Sequence, residues 1–199
     1  VPGEPVRVPP KPDLSPRAVP AEAFPYGPAA RVPAGQLPGV LADITMRPLR
    51  GRAEPAECTP TGLDANDAVV LVGPGGPAKG TLTALIAYTD QTLPQLAEET
   101  ERCSEFLAGS TGTTMVRTGI DEGPSAGTYG TQTLQRRRTL RPAGGDTITS
   151  IDEWIAQRGD VRVYVQNRYL ATELSPAEQE ATGALFRAAV SAAFAGQGT

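Results

Sequence analysis

The sequence predicts an α+β fold: an antiparallel β-sheet with two main helices packed on it, preceded by an extended proline-rich arm. Three observations support this prediction. Fourteen of the 20 prolines precede residue 61, short β-rich runs follow one another at hairpin spacing, and two longer stretches have helical periodicity. Connections this short join antiparallel strands, whose apolar face helices then cover. We expect residues 1–25 to be the arm and residues 26–199 to be one domain.

The arm is defined by its prolines. Proline fixes φ and donates no backbone hydrogen bond, so the segment should form neither helix nor central strand. We expect a polyproline-like chain that is a spacer, a tether, or an arm lying on a partner or on its own body. Its few apolar side chains, such as Val6, Val8, Leu14 and Phe24, look too sparse for a core. The candidate docking residues are Pro9, Pro10, Pro12, Pro16 and Pro20.

In the first half of the domain, the sequence predicts short secondary-structure elements and one β-hairpin. In "VPAGQLPGVLADITMRPLRG" the apolar pieces are interrupted by Pro33, Pro38 and Pro48, which predicts one turn of helix and an edge strand. The runs "DAVVLVG" and "GTLTALIAYT" flank "GPGGPAKG" and predict a hairpin with a generous loop. This glycine-rich loop is not a phosphate-binding loop, because Lys79 precedes Gly80 and a strand follows.

Two stretches predict helices, and one predicts a strand between them. "QTLPQLAEETERCSEFLAG" should be a helix that stops at Gly109. Its inward residues at helical spacing are Leu93, Leu96, Thr100, Cys103 and Leu107. "DVRVYVQNRYL" alternates valine with polar residues, which is typical of a half-buried strand. "SPAE" from Ser175 is a capping box that begins an alanine-rich terminal helix.

Composition excludes several function classes. The net charge of −4 and the pI of about 5.0 argue against nucleic-acid binding. No run approaches 18 apolar residues, so no membrane span is predicted. The chain has no histidine and no nucleophile motif, and its adjacent acid pairs point apart on strands or loops. We therefore expect neither an enzyme, nor a cofactor, nor a metal site.

The two cysteines, Cys58 and Cys103, are 45 positions apart. Two cysteines without histidine cannot complete a zinc site, which takes four ligands, and they do not form a C-x-x-C redox motif. A disulfide that ties the root of the arm to the helix is favoured, and two buried free thiols are the alternative. A disulfide implies an exported protein.

The densest basic patch is "QRRRTLR". On a strand, Arg136 and Arg138 share one face while Arg137 lies on the other, and we expect the shared face to be exposed. One interpretation is a solvated sheet edge protected by charge. The other is an anion site for a carboxylate, phosphate or lipid headgroup formed by Arg136, Arg138 and Arg141.

Four segments carry a family resemblance: "YGPAARVPAGQLPG", "MRPLRGRAEPAEC", "ERCSEF" and "SPAEQEATGALFRAAVSAAF". Over residues 26–195 the chain resembles an uncharacterised family of exported actinobacterial proteins, mainly mycobacterial lipoproteins with a domain of unknown function. More remotely it resembles the extracellular sensor domains of mycobacterial Ser/Thr kinases. The resemblance implies an envelope location and a single cysteine pair at Cys58 and Cys103. Kinase sensor domains of this type carry two disulfides, which weakens a sensor role here.

Two function classes remain open. The first is a non-enzymatic accessory subunit of an envelope or membrane complex, with the arm as docking segment or tether. The second is an exported small-molecule or lipid-binding domain that uses a groove between sheet and helices. We expect an exported protein, periplasmic or on the extracytoplasmic face of the membrane. We also expect a protein partner there and a lipid anchor upstream of Val1.

Overall fold

The computed structural model of the protein describes residues 8–108 and 114–197. Its centre is one eight-stranded sheet with the order β1-β2-β3-β8-β7-β6-β5-β4, in which every neighbouring pair is antiparallel. The strands are Ala30–Arg31 (β1), Val69–Pro74 (β2), Thr81–Tyr88 (β3), Glu105–Ala108 (β4), Thr114–Ala126 (β5), Gln132–Pro142 (β6), Thr149–Arg158 (β7) and Val161–Tyr169 (β8). The predicted α+β class with an antiparallel sheet is confirmed.

Helices cover both faces of this sheet. They are α1 (Leu37–Thr45), α2 (Leu93–Arg102) and α3 (Pro176–Phe194). The α3 helix packs on β3, β7 and β8 on one face, whereas the apolar residues of α1 and α2 share a second cluster on the opposite face. Within the described ranges, none of the helices has the length and apolar character needed to cross a bilayer.

Local sequence explains where the helices begin. The Ser175 hydroxyl accepts a hydrogen bond from the Glu178 backbone at 3.2 Å, and the Glu178 carboxylate accepts one from the Ser175 backbone at 3.3 Å. This is the predicted capping box, which satisfies two backbone donors at the start of α3. Thr92 and Gln95 form the same arrangement at the start of α2.

Two element boundaries differ from the prediction. The α1 helix runs for nine residues instead of one turn, because Pro38 lies in the first turn, where a missing N–H has no cost. The α2 helix ends at Arg102. The next residues form β4, which pairs with β5 through Phe106 and Val116, so Leu107 is not helical. Gly109, the predicted stop, lies outside the described residues.

The proline-rich segment lies on the body of the protein. Leu14 is fully buried, and Val19 and Phe24 are each 5% exposed, in the cluster beneath α3. The expectation that these apolar side chains are too sparse for a core is wrong, because two short 3-10 turns, Ser15–Arg17 and Ala21–Ala23, let the segment turn inward. Val8 is exposed, and Val6 lies outside the described residues.

Candidate functional site

The two cysteines form a disulfide between Cys58 and Cys103, with Cα atoms 5.4 Å apart. Both residues are buried in a third apolar cluster, together with Met46 and Phe106. Cys103 caps the C-terminal end of α2, and Cys58 lies in the 3-10 turn Ala56–Cys58. The disulfide therefore attaches the long connection between α1 and β2 to the C-terminal end of α2.

The basic patch on β6 is not exposed as expected. Arg136 and Arg138 are 6% and 3% exposed, because β6 lies between β5 and β7 and their shared face is covered from the side of α2. The prediction of a solvated edge is wrong. The predicted alternation of side chains along β6 is confirmed. Arg137 lies on the face opposite to Arg136 and Arg138, where it pairs with Asp152.

Both buried arginines pair with one carboxylate. Arg136 Nε and Arg138 Nη2 donate to Glu153 Oε1, the second at 3.2 Å, and Gln166 donates to Oε2 of the same group. Arg136 Nη1 also donates to the Thr100 hydroxyl at 2.8 Å. Burial disfavours the charged form of Arg136 and so lowers the pKa of its guanidinium. The attraction of the negatively charged Glu153, together with its hydrogen bond, is the larger effect, and the pKa is raised.

The structure does not bring the three predicted anion-binding arginines together. Arg141 is exposed and lies on the face of β6 opposite to Arg136 and Arg138, since its position differs from theirs by an odd number. The two buried guanidiniums are already paired with Glu153. The predicted docking prolines, Pro9, Pro10, Pro12, Pro16 and Pro20, are all exposed.

The feature most like a ligand site is a groove of ≈650 Å³ beside α1. One wall is the C-terminal end of α1 with the loop that follows it, and the floor is the neighbouring end of β4, β5 and β6. We call it the α1 groove. Its apolar lining residues are Met46, Pro48, Leu49, Ala108, Val116 and Leu140.

Two arginines lie at the rim of the α1 groove. Arg47 and Arg50 are exposed, and among the described residues neither has a carboxylate within salt-bridge distance. Arg47 donates instead to the Pro60 carbonyl at 2.8 Å. The acidic residue at this rim, Asp43, is paired with Arg168 at 3.2 Å. The rim therefore has an excess of positive charge.

The buried ion network holds the wall of the α1 groove in place. The carbonyl of Ile44 accepts hydrogen bonds from Arg138 Nη1 at 3.1 Å and from Gln166 Nε2 at 3.2 Å. The chain then leaves the helix through Met46, whose φ is +64°, an uncommon left-handed conformation for a residue other than glycine. These contacts fix the direction in which Arg47 and Leu49 leave α1.

The sequence predicts a groove between sheet and helices, but not the residues that line the α1 groove. A signal was present in "MRPLRGR", where Arg47, Arg50 and Arg52 surround Leu49 without any acidic residue. The floor gave no signal, since its residues come from three strands that are distant in sequence. The densest arginine run predicts an anion site on β6 instead. The side chains of Arg136 and Arg138 in that run are, however, buried and paired with Glu153.

The fold defines an α+β protein with an eight-stranded antiparallel sheet and helices on both faces. No family model matches the chain, and no curated protein does. Among the solved structures similar to it is the X-ray structure of an uncharacterised Mycobacterium smegmatis protein, the Rv0999 orthologue. The two chains are 16% identical, the match covers 83% of this chain and 85% of that one, and the TM-score is 0.47.

Proposed function

We propose that the protein is a non-enzymatic cell-envelope protein that binds an anionic amphiphile in the α1 groove. The ligand class is an acyl chain with a negatively charged head. The observation that carries the proposal is an apolar groove of ≈650 Å³ with two arginines at its rim. Small-molecule sites commonly measure about 300–1,000 Å³ and combine apolar walls with a few polar groups.

Charge supports an anionic head. The whole chain carries a net charge of −4, yet residues 46–52 contain three arginines and no acid. Arg47 and Arg50 both line the groove, and a guanidinium matches the geometry of a carboxylate or phosphate with two parallel hydrogen bonds. An anion placed there would not displace a protein carboxylate, because Asp43 already pairs with Arg168.

Exposed apolar surface supports an acyl chain. Leu49 is 67% exposed, and it lies over the apolar floor formed in part by Val116 and Leu140. Contiguous apolar surface that is left open on a monomer commonly marks a binding site. The envelope location is part of the proposal and is supported by the disulfide, since disulfides persist in oxidising compartments.

The proposal is tested with oleate as the probe, using the full chain and isothermal titration calorimetry. We expect saturable binding with one site, weakened about tenfold or more in the double variant Arg47→Gln/Arg50→Gln, because charged hydrogen bonds contribute more than neutral ones. Arg52→Gln is the matched control, since Arg52 lies in the same loop but does not line the groove. Absence of saturable binding, or equal weakening by Arg52→Gln, contradicts the proposal.

A second candidate is an accessory subunit that docks onto a protein partner through the proline-rich segment. One observation favours it: Leu14, Val19 and Phe24 anchor this segment to the body, while all five candidate prolines face solvent. A proline-rich chain that is already ordered loses little entropy when it docks into an aromatic-lined groove.

This second candidate is tested by replacing the five prolines with serine and leaving the buried anchors intact. A stoichiometric envelope partner should cross-link to the wild type and not to the variant. The control replaces Pro33 and Pro77, two exposed prolines elsewhere. If the five-proline variant recovers the same partner at the same yield, the segment is not the docking element.

A further inference from the structure

A second cleft lies on the opposite face of the sheet from the α1 groove. The α3 helix packs on β3, β7 and β8, and beside its first turns a cleft of ≈220 Å³ opens over β6 and β7. Gln179 and Thr182 of α3 form one side of it, and Arg137, Asp152 and Trp154 form the other. We call it the Trp154 cleft. It shares no lining residue with the α1 groove.

The indole of Trp154 is a rigid wall of this cleft. The ring makes an edge-to-face contact with Phe186, with ring centroids 5.5 Å apart. It also lies so close to α3 that a Cβ atom on Gly183 would be 2.9 Å from the indole. Only glycine permits this approach of helix and ring. Trp154 is nevertheless half-buried instead of buried, and no hydrogen bond joins its Nε1 to a described residue.

An arginine–aspartate pair stands beside the indole. Arg137 Nε donates to Asp152 Oδ1 at 2.8 Å, while the contact from Nη2 to Oδ2 is long, at 3.4 Å. Tyr169 donates its hydroxyl to Oδ1 at 3.0 Å, so Oδ1 has two donors and Oδ2 has only the long one. The Asp152 side chain is 10% exposed and that of Arg137 is 37% exposed. The pair therefore offers an acceptor and donors next to each other, already oriented.

The charges of the cleft disfavour a simple anion. Asp152 neutralises Arg137, and a further carboxylate, Asp121, lines the cleft. A ligand that suits this site has no net charge and presents a hydroxyl that donates next to an oxygen that accepts. It also has an apolar face that packs against an aromatic ring. Two adjacent hydroxyl groups on a sugar ring have this chemistry.

We propose that the Trp154 cleft binds a neutral sugar ring, with the Arg137–Asp152 pair holding two adjacent hydroxyls and the indole covering one face of the ring. One hydroxyl donates to Asp152 Oδ2, and its neighbour accepts from an Arg137 Nη group. The proposal stands on the cleft alone and is independent of what the α1 groove binds.

The experiment uses the fact that the chain has a single tryptophan. The indole N–H of Trp154 therefore gives one assigned side-chain signal in a ¹H–¹⁵N NMR spectrum of the full chain. The probes are the methyl glycosides of glucose, mannose, galactose and arabinose. We expect at least one glycoside to shift this signal in a saturable manner, and Arg137→Gln to weaken the apparent affinity about tenfold.

The matched control is Arg117→Gln. Arg117 lies on the same face of the sheet as Arg137 and also pairs with a carboxylate, Glu105, at 2.9 Å, but it does not line the cleft. This variant should bind the glycoside as the wild type does. The proposal is overturned if no glycoside moves the indole signal or if the two variants weaken binding equally. It is also overturned if inorganic phosphate moves the signal and no glycoside does.

Discussion

Arg138 donates a hydrogen bond from Nη1 to the carbonyl oxygen of Ile44 at 3.1 Å, and this contact joins the last turn of α1 to the middle of the sheet. The last carbonyls of a helix have no partner within the helix and carry partial negative charge, so a cationic donor stabilises them. Because Arg138 also pairs with Glu153 at 3.2 Å, the wall of the α1 groove depends on a buried ion network.

The first prediction concerns the carboxylate of that network. Glu153→Gln leaves Arg136 and Arg138 buried without a counter-charge. Removal of one partner from a buried ion pair costs about 3–5 kcal/mol. We therefore expect the free energy of unfolding, measured by urea titration, to fall by about 3 kcal/mol or more.

The control for this prediction is Glu105→Gln, which breaks the exposed pair with Arg117. Exposed pairs contribute about 1 kcal/mol or less, so this variant should unfold at nearly the urea concentration of the wild type. Equal effects of the two variants would show that burial of the network does not decide its contribution. Because Arg136 and Arg138 are buried and not exposed as the sequence predicts, exchanging both for glutamine should also lower the free energy of unfolding.

The second prediction concerns the disulfide. The double variant Cys58→Ala/Cys103→Ala releases a loop of 45 residues, and the loss of loop-closure constraint in the unfolded chain corresponds to roughly 4 kcal/mol. We expect its urea midpoint to fall accordingly. Dithiothreitol should lower the midpoint of the wild type and leave that of the double variant unchanged. A wild-type midpoint that is insensitive to reductant would contradict the prediction.

Much of the fold could be predicted because periodicity and capping are local. The valines of β8 alternate with polar residues, and the strand is where the pattern indicates. The serine-proline start of α3 is likewise visible in the sequence. However, β8 is central and buried on both faces, so Arg162 is 1% exposed. Its guanidinium donates to neutral oxygens of Gln157, Gln91 and Tyr164, which alternation alone cannot reveal.

The parts that could not be predicted depend on contacts between distant segments. Alternation places Arg136 and Arg138 on one face, but only the position of α2 decides that this face is covered. The end of α2 was missed because Leu107 continues the helical spacing, while pairing of β4 with β5 draws the chain into a strand. Both candidate sites lie between elements far apart in the sequence.

The third prediction concerns Glu178 and pH. Its carboxylate accepts hydrogen bonds from the Ser175 hydroxyl at 2.8 Å and from the Ala78 backbone at 3.1 Å. These bonds favour the ionised form and lower the pKa of Glu178. The folded protein therefore gains stability from this group above the unfolded pKa, about 4.3, and loses it as the pH falls through the lower folded pKa.

We expect the difference in unfolding free energy between the wild type and Glu178→Gln to be constant above about pH 5. The difference should change in acid, with the wild type losing its advantage. The measurement is urea unfolding at a series of pH values. Ser175→Ala removes the hydroxyl that lowers the pKa and should reduce the pH dependence. Parallel curves for the wild type and Glu178→Gln would contradict the assignment.

The fourth prediction concerns the proline-rich segment. Leu14 is fully buried beneath α3, whereas Val8 is 83% exposed in the same segment. Leu14→Ala should lower the free energy of unfolding by about 2–5 kcal/mol, the usual cost of a leucine-to-alanine change in a core. Val8→Ala is the control and should change it by about 0.5 kcal/mol or less.

A truncated chain that begins at Tyr26 extends this test, because it also loses the burial of Val19 and Phe24. It further loses the hydrogen bonds from Tyr88 to the Pro12 carbonyl at 2.7 Å and from Arg17 to the Ala193 carbonyl at 2.8 Å. Burial of one large apolar side chain contributes about 1.5–3 kcal/mol, so we expect this chain to be several kcal/mol less stable than one beginning at Val8. If Leu14→Ala and the truncation both leave the urea midpoint unchanged, residues 1–25 are a dispensable tether. In that case the exposed prolines are not held in place for docking.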